Sequence, residues 1–274
     1  MGNDIQRFFT ELDEIYAENR FDKLEKYLKD QLAVAESTAD KGFELTILNE
    51  LMGYFRASSR YEECITCINR TLKLVEELGL KNSISHATTL LNAATGYRAA
   101  GYRDKALEFY NQALDIYLKE LEEGDYRIAA LYNNISILYG EMGERQKEKQ
   151  ALIKALNIIE KVEGAKVEEA IAHSNLALMY SEEKDTENAL LHVKKSLEIF
   201  EENNNRKDSH YAAALSTCAM TYYRMGKYQE AVEFFEKALA EIYETYGEND
   251  YYKITKENLN TAREALENEG NTTV

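Results

Sequence analysis

The sequence predicts an all-α fold, a right-handed superhelical solenoid of about six antiparallel helix pairs followed by a capping helix. Three observations predict it. The chain of 274 residues contains no proline, the residue that breaks helix interiors and is common in loops. Apolar residues recur at spacings of three and four, which is typical of amphipathic helices. A pattern of aromatic, glycine and alanine returns about every 42 residues.

The repeat is counted from one residue in each copy, which we call the anchor. The five clear copies have anchors 42, 42, 41 and 42 residues apart. These anchors are Phe55, Tyr97, Tyr139, Tyr180 and Tyr222. An earlier, degenerate copy has Ile15 as its anchor, with Leu12 before it and Leu24 after it.

Mostly small residues recur at three offsets from the anchor. Three residues before it lie Met52, Ala94, Ser136, Ala177 and Ala219. Nine residues after it lie Cys64, Ala106, Glu148, Ala189 and Ala231. Sixteen residues after it lie Thr71, Ala113, Ala155, Ser196 and Ala238. Small side chains let two helix backbones approach closely while the aromatic anchor fills the gap, so these columns predict the helix packing.

Each copy predicts two helices. In the copy anchored at Tyr97 they span about 84–100 and 104–121 and are joined at Gly101. Gly143 and Gly226 mark the same turn in later copies, because the end of a helix favours a residue that tolerates positive φ. The predicted units are 4–40, 41–80, 84–123, 126–163, 167–204 and 208–247. We expect a capping helix at 249–268, a single domain over 1–268, and a disordered tail at 269–274.

The copy at the C-terminal end carries the strongest motif. It has Ala219, Tyr222, Gly226, Tyr228, Ala231, Phe235 and Ala238. This pattern resembles the tetratricopeptide repeat, whose unit is usually about 34 residues. The longer unit here, with "LYNNISILY" (131–139) and "AHSNLALMY" (172–180), looks like the kinesin light chain type. The resemblance covers nearly all of 8–266; it implies a solenoid whose first helices line a concave groove that holds an extended peptide.

The column five residues before the anchor is the candidate binding column. It contains Glu50, Asn92, Asn134, Asn175 and Thr217. Asn is a mediocre helix former, and its amide can both donate to and accept from a peptide backbone. The resemblance implies that this column faces the groove as an asparagine ladder. The alternative is a structural strut, in which each Asn bonds to a neighbouring helix.

The resemblance places further residues on or beside the same face. The predicted peptide-binding residues are Asn92, Asn134, Asn175, Thr217, Thr95, Ile137, Leu178, Met220, Arg98 and Arg224. Such a mixed, partly apolar groove suits an extended segment with small or apolar side chains. The basic clamp that holds chaperone C-termini in this family is not expected, because the corresponding positions hold Thr, Asn, Ser and Ala.

Charge and cysteine content limit the partners and the compartment. With 33 basic and 49 acidic side chains the net charge is −16, which disfavours nucleic acid and anionic membranes and favours neutral to basic partners. No apolar run approaches membrane-spanning length, and the acidic stretch "MGNDIQRFFTELDE" (1–14) lacks the apolar region expected of a signal peptide. Three cysteines in a large helical chain do not indicate a disulfide framework, so we expect a cytoplasmic protein.

No set of residues predicts catalysis. Cys64 and Cys67 have a metal-like spacing, but both fall on one helix without two further ligands, so packing is the expected role and no metal or cofactor is predicted. The four histidines are scattered, and His173 stands where an apolar residue is expected. We therefore predict a non-catalytic peptide-binding scaffold. The alternatives are a sensor of a short signalling peptide that changes the solenoid curvature, and an oligomerisation module.

Overall fold

The computed structural model describes residues 2–17, 21–203, 209–248 and 250–272, and these form thirteen α-helices with no β-strand. Six consecutive helix pairs are followed by one last helix. The helices are α1 Gly2–Ala17, α2 Phe21–Ser37, α3 Lys41–Ala57, α4 Tyr61–Glu77, α5 Ile84–Ala99, α6 Arg103–Glu120, α7 Tyr126–Glu141, α8 Arg145–Ile159, α9 Lys166–Glu182, α10 Thr186–Glu202, α11 Ser209–Arg224, α12 Tyr228–Tyr246 and α13 Asp250–Thr272. The predicted all-α repeat solenoid is thus confirmed.

The turn inside each of the five clear pairs contains one residue in the left-handed region. In three copies it is the glycine that the sequence indicates, Gly101, Gly143 or Gly226, with φ of 84°, 76° and 73°. Ser59 and Lys184 take the same position in the other two copies, with φ of 58° and 62°. These two residues carry a Cβ in a conformation that glycine adopts without steric cost.

The three columns of small residues form the contact between the paired helices. Nearly all are buried, including Ala106, Ala113, Ala177, Ala189 and Ala231, each with no measurable exposed surface. The degenerate first copy is also in register, since Ile15, Leu12 and Leu24 are buried.

Glu148 is the exception among the small residues because its long side chain is only half-buried. It accepts a 2.8 Å hydrogen bond from Arg145. A Cβ on Gly140 would stand only 2.9 Å from Glu148 Oε1, which is closer than van der Waals contact allows. A side chain on residue 140 would therefore displace this glutamate.

The chain divides into two compact units, Met1–Glu122 and Glu123–Val274, which we call unit 1 and unit 2. Unit 1 contains α1 to α6 and unit 2 contains α7 to α13. Within unit 1 the first helices α3 and α5 pack together, as α9 and α11 do in unit 2. The prediction of a single domain stays a prediction.

The last helix extends further than predicted. We expected it to end at 268 and a disordered tail to follow, but α13 continues to Thr272, and 273–274 lie outside the described residues. The glutamates at 267 and 269 are good helix formers, and the single glycine at 270 weakens a helix without necessarily ending it. None of the helices in the described ranges is long and apolar enough to cross a membrane.

Candidate functional site

Three columns on the first helices of unit 2 form an open surface, which we call the unit 2 face. They lie nine, five and two residues before each anchor. The face consists of Ala130, Asn134 and Ile137 on α7, Ile171, Asn175 and Leu178 on α9, and Ala213, Thr217 and Met220 on α11. Ile137 is 40% exposed and Leu178 is 47% exposed. Two aliphatic side chains are therefore open to solvent at equivalent positions of adjacent repeats.

The two asparagines of this face are half-buried and bond differently. Asn134 Nδ2 donates a 3.0 Å hydrogen bond within its own helix, to the carbonyl oxygen of Ala130. Asn175 Nδ2 donates a 2.6 Å hydrogen bond to Oδ1 of Asn133 on α7. Each bond uses one N–H of the amide, which leaves a second N–H and the amide oxygen for another partner.

Unit 1 contains a second asparagine pair. Asn92 Nδ2 on α5 donates a 2.8 Å hydrogen bond to Oδ1 of Asn49 on α3, and Asn49 Nδ2 donates to the carbonyl oxygen of Leu45. Glu50 occupies the ladder column on α3, and burial, together with the nearby Asp13, raises the pKa of its carboxyl group.

Asn92 and Asn175 thus make the bonds to a neighbouring helix that the strut alternative expects. These bonds leave part of each amide without a partner among the described residues. The sequence analysis did not identify their partners, Asn49 and Asn133. Both partners stand six residues before the anchor of their own copy, and in the next copy an Asn stands five residues before that copy's anchor. This combination is visible in the sequence and could have indicated the pairs.

The remaining predicted site residues differ in accessibility. Thr95 is buried, and its hydroxyl lies 3.1 Å from the Tyr110 hydroxyl and donates to the carbonyl oxygen of Leu91, so it is not open to a ligand. Arg98 is half-buried. Arg224 Nη1 donates a 2.6 Å hydrogen bond to Ser181 Oγ, which ties α11 to α9. Thr217 is half-buried and donates to the Ala213 carbonyl within its own helix.

Two of the histidines, which looked scattered in the sequence, form a pair. His173 on α9 is 1% exposed, and its Nδ1 lies 2.9 Å from Nδ1 of His192 on α10. The His192 ring stacks on Tyr180 with 5.5 Å between ring centroids. Burial, then the neighbouring His192, then Lys195 lower the pKa of His173 to about 4, and burial also lowers the pKa of His192. Both rings are therefore neutral at pH 7.

The cysteines are buried and free. Cys64 Sγ donates to the carbonyl oxygen of Met52 at 3.5 Å, across the helix pair. Burial raises the pKa of Cys67 to about 11 and that of Cys218 to about 12, so both are protonated thiols at neutral pH. The packing role predicted for Cys64 and Cys67 agrees with these contacts.

One group of side chains has the spacing of metal ligands within the described ranges. Glu160, Glu169 and His173 each place one ligand atom within 4.8 Å of the others. Glu160 is exposed, and Glu169 pairs with Lys166 at 2.7 Å. The group can thus be explained as a solvated acidic surface above the buried imidazole.

The sequence model described as tetratricopeptide repeat matches residues 43–119, 126–202 and 168–244. Protein KINESIN LIGHT CHAIN-RELATED 1 of Arabidopsis thaliana is 26% identical over 141 residues, which cover 51% of this chain and 23% of that protein. The chain therefore spans about a quarter of this relative's length. These matches support the kinesin light chain-like form of the repeat that the sequence indicates.

Solved structures share the fold at low sequence identity. BtubC (BKLC) from P. vanneervenii has a TM-score of 0.66 at 17% identity, covering 85% of this chain and 93% of that one. The apo form of RapI has a TM-score of 0.70 at 16% identity, covering 96% and 72%. The apo form of the quorum sensor NprR from B. thuringiensis has a TM-score of 0.68 at 16% identity, covering 93% and 68%.

Proposed function

Because the chain belongs to the tetratricopeptide repeat family, we propose that it is a non-catalytic scaffold that holds an extended protein segment along the unit 2 face. The observation that carries the proposal is the alternation of two amides and two exposed aliphatic side chains on adjacent helices. Asn134 lies one turn from Ile137, and Asn175 lies one turn from Leu178. Amides bind the peptide backbone, and exposed apolar side chains select the side chains of the segment.

Electrostatics favour a neutral to basic segment. The net charge of −16 attracts cations over distances of about one Debye length, roughly 8 Å at physiological salt. The same charge disfavours nucleic acid and anionic membrane surfaces. The three free, buried cysteines are compatible with a reducing, cytoplasmic environment.

A sensor is the second candidate, and the likeness to the fold of the quorum sensor NprR favours it. A scaffold and a sensor would use the same face. They differ in response, because a sensor must bind its peptide more tightly in one conformation than in another. Hydrogen exchange that changes on binding in helices far from the unit 2 face would support a sensor.

The test of the scaffold uses peptides selected from a random phage-displayed library on the wild-type chain. We expect Asn134→Ala to weaken the binding of the selected peptides by about 1–3 kcal/mol, because a backbone group of the peptide loses its hydrogen-bond partner. Asn157→Ala, at an exposed asparagine on the second helix α8, is the matched control and should leave affinity unchanged. Equal affinity of both variants and the wild type would remove Asn134 from the binding site.

A further inference from the structure

A cavity of about 140 Å³ lies beside the unit 2 face, between α7, α8 and α9. Its walls are almost entirely apolar. They include Ala129, Ala155, Ile159 and Ala172, together with Ala130 and Ile171 of the unit 2 face. The amide of Asn133 also lines the cavity, and its oxygen is already bonded to Asn175. The cavity is thus continuous with the proposed peptide path.

The sequence of this copy explains why the cavity is there. The next copy has the larger Ile171 in place of Ala130 and Phe200 in place of Ile159, at the same offsets from the anchor. Phe200 is 1% exposed and packs edge-on against Tyr211, so a large ring occupies the equivalent position between α9 and α11. Smaller residues at two positions of one copy leave the corresponding space open.

The chemistry of the cavity defines what it can hold. An apolar protein cavity of about 150 Å³ is large enough to hold a benzene ring. A charged group such as a carboxylate would lose most of its hydration there, against walls that offer mainly apolar contacts. Glu168 is exposed and lies at the edge of the same cavity. A cation beside the apolar group would therefore lie near a carboxylate.

We infer that this cavity is a specificity pocket that takes one leucine- or phenylalanine-sized side chain from a peptide with a basic residue next to it. The inference rests on the proposed function, because it requires an extended segment on the unit 2 face. It goes further by naming the side chain that anchors the segment and the position where it enters.

The probes are four peptides, acetyl-Gly-Ser-Lys-X-Ser-Gly-amide, in which X is Phe, Leu, Ala or Glu. Binding is followed by NMR of the methyl groups of Ile159 and Ile171. We expect the Phe and Leu peptides to shift these signals and to bind about 10- to 100-fold more tightly than the Ala peptide, the range expected for burying such a side chain. The Glu peptide should not shift them. Equal binding of all four peptides, or no binding of the Phe peptide, would overturn the inference.

The variant Ala130→Ile places in this copy the residue that the next copy has at the same position. Ala130 is exposed, so we expect an unchanged melting temperature and loss of the preference for Phe and Leu. Ala33→Ile, at an exposed alanine of α2, is the matched control and should keep the preference. A preference for Phe that persists in Ala130→Ile would contradict the pocket.

The two proposals fail in different ways. Asn134→Ala should weaken all peptides equally, the Ala peptide included, because it acts on backbone bonding. If Asn134→Ala has no effect while the preference for Phe persists, the asparagine ladder is wrong and the pocket stands. If the preference is absent while Asn134→Ala still weakens binding, the pocket is wrong and the scaffold stands.

Discussion

Asn175 and Asn133, on the first helices of adjacent repeats, are joined by a 2.6 Å hydrogen bond between their side-chain amides. Asn134, the neighbour of Asn133 in sequence, bonds only to a carbonyl one turn earlier in its own helix among the contacts that the structure describes. Two asparagines of the same predicted column therefore differ in whether they connect two helices.

This difference predicts unequal effects on stability. Asn175→Ala should lower the free energy of unfolding by about 1–2 kcal/mol, because the half-buried Oδ1 of Asn133 loses its donor. Asn134→Ala should change it by roughly 0.5 kcal/mol or less, since Ala is the better helix former and no contact between helices is lost. Urea unfolding of both variants checks the order. A loss in Asn175→Ala as small as the one expected for Asn134→Ala would show that the Asn175–Asn133 bond contributes little to stability.

The column of small residues predicts intolerance to larger side chains. Ala106 and Ala231 have no exposed surface, so Ala106→Leu or Ala231→Leu should destabilise the fold by about 1–3 kcal/mol through overpacking. Ala33→Leu at the exposed position on α2 is the control and should be neutral. Thermal unfolding that does not distinguish the three variants would show that the two buried positions can relax.

Lys184 predicts a stabilising substitution. It has φ of 62° at the turn where three other copies have glycine. Lys184→Gly should raise the free energy of unfolding by about 1 kcal/mol, since release of backbone strain exceeds the added chain entropy of glycine. The reverse change, Gly143→Ala, should lower it by about 1 kcal/mol. Calorimetry of the two variants tests both signs, and a melting temperature that falls in Lys184→Gly would contradict the argument.

The histidine pair predicts acid sensitivity. The pKa of His173 is about 4 in the fold and about 6.5 in an unfolded chain, so between these values only the unfolded state takes up the proton. Stability should therefore fall as the pH drops from 7 to 4, by on the order of 3 kcal/mol, and this contribution should level off below pH 4. Lys195 adds to the effect and Glu169 opposes it.

The matched variant for this prediction is His173→Leu. Leu48, Leu90 and Leu215 hold the equivalent position, seven residues before the anchor, in three other copies. In urea unfolding the variant should lose the contribution of His173 to the pH dependence between 7 and 4, while the contribution of His192, whose pKa burial also lowers, should remain. Parallel pH profiles of variant and wild type would assign the acid sensitivity to other groups.

The sequence by itself determined the repeat, the helix pairs and the buried columns. These depend on spacings within one copy. The anchors Phe55 and Tyr97, the glycine turns and the small residues each act through neighbours a few turns away or through the paired helix. The spacing of apolar residues and the residue types in a turn are local properties of the sequence. The boundaries of α5 and α6 therefore agree with the prediction to within about one residue.

Only the tertiary structure decided which side chains of adjacent pairs meet. Asn175 bonds to Asn133, Asn92 bonds to Asn49, and Arg224 bonds to Ser181, each between the first helices of two adjacent pairs. The cavity beside Ala130 likewise depends on three helices, α7, α8 and α9, that belong to two adjacent copies. The period of one copy does not specify these contacts, because they result from side-chain volumes packed together across adjacent copies.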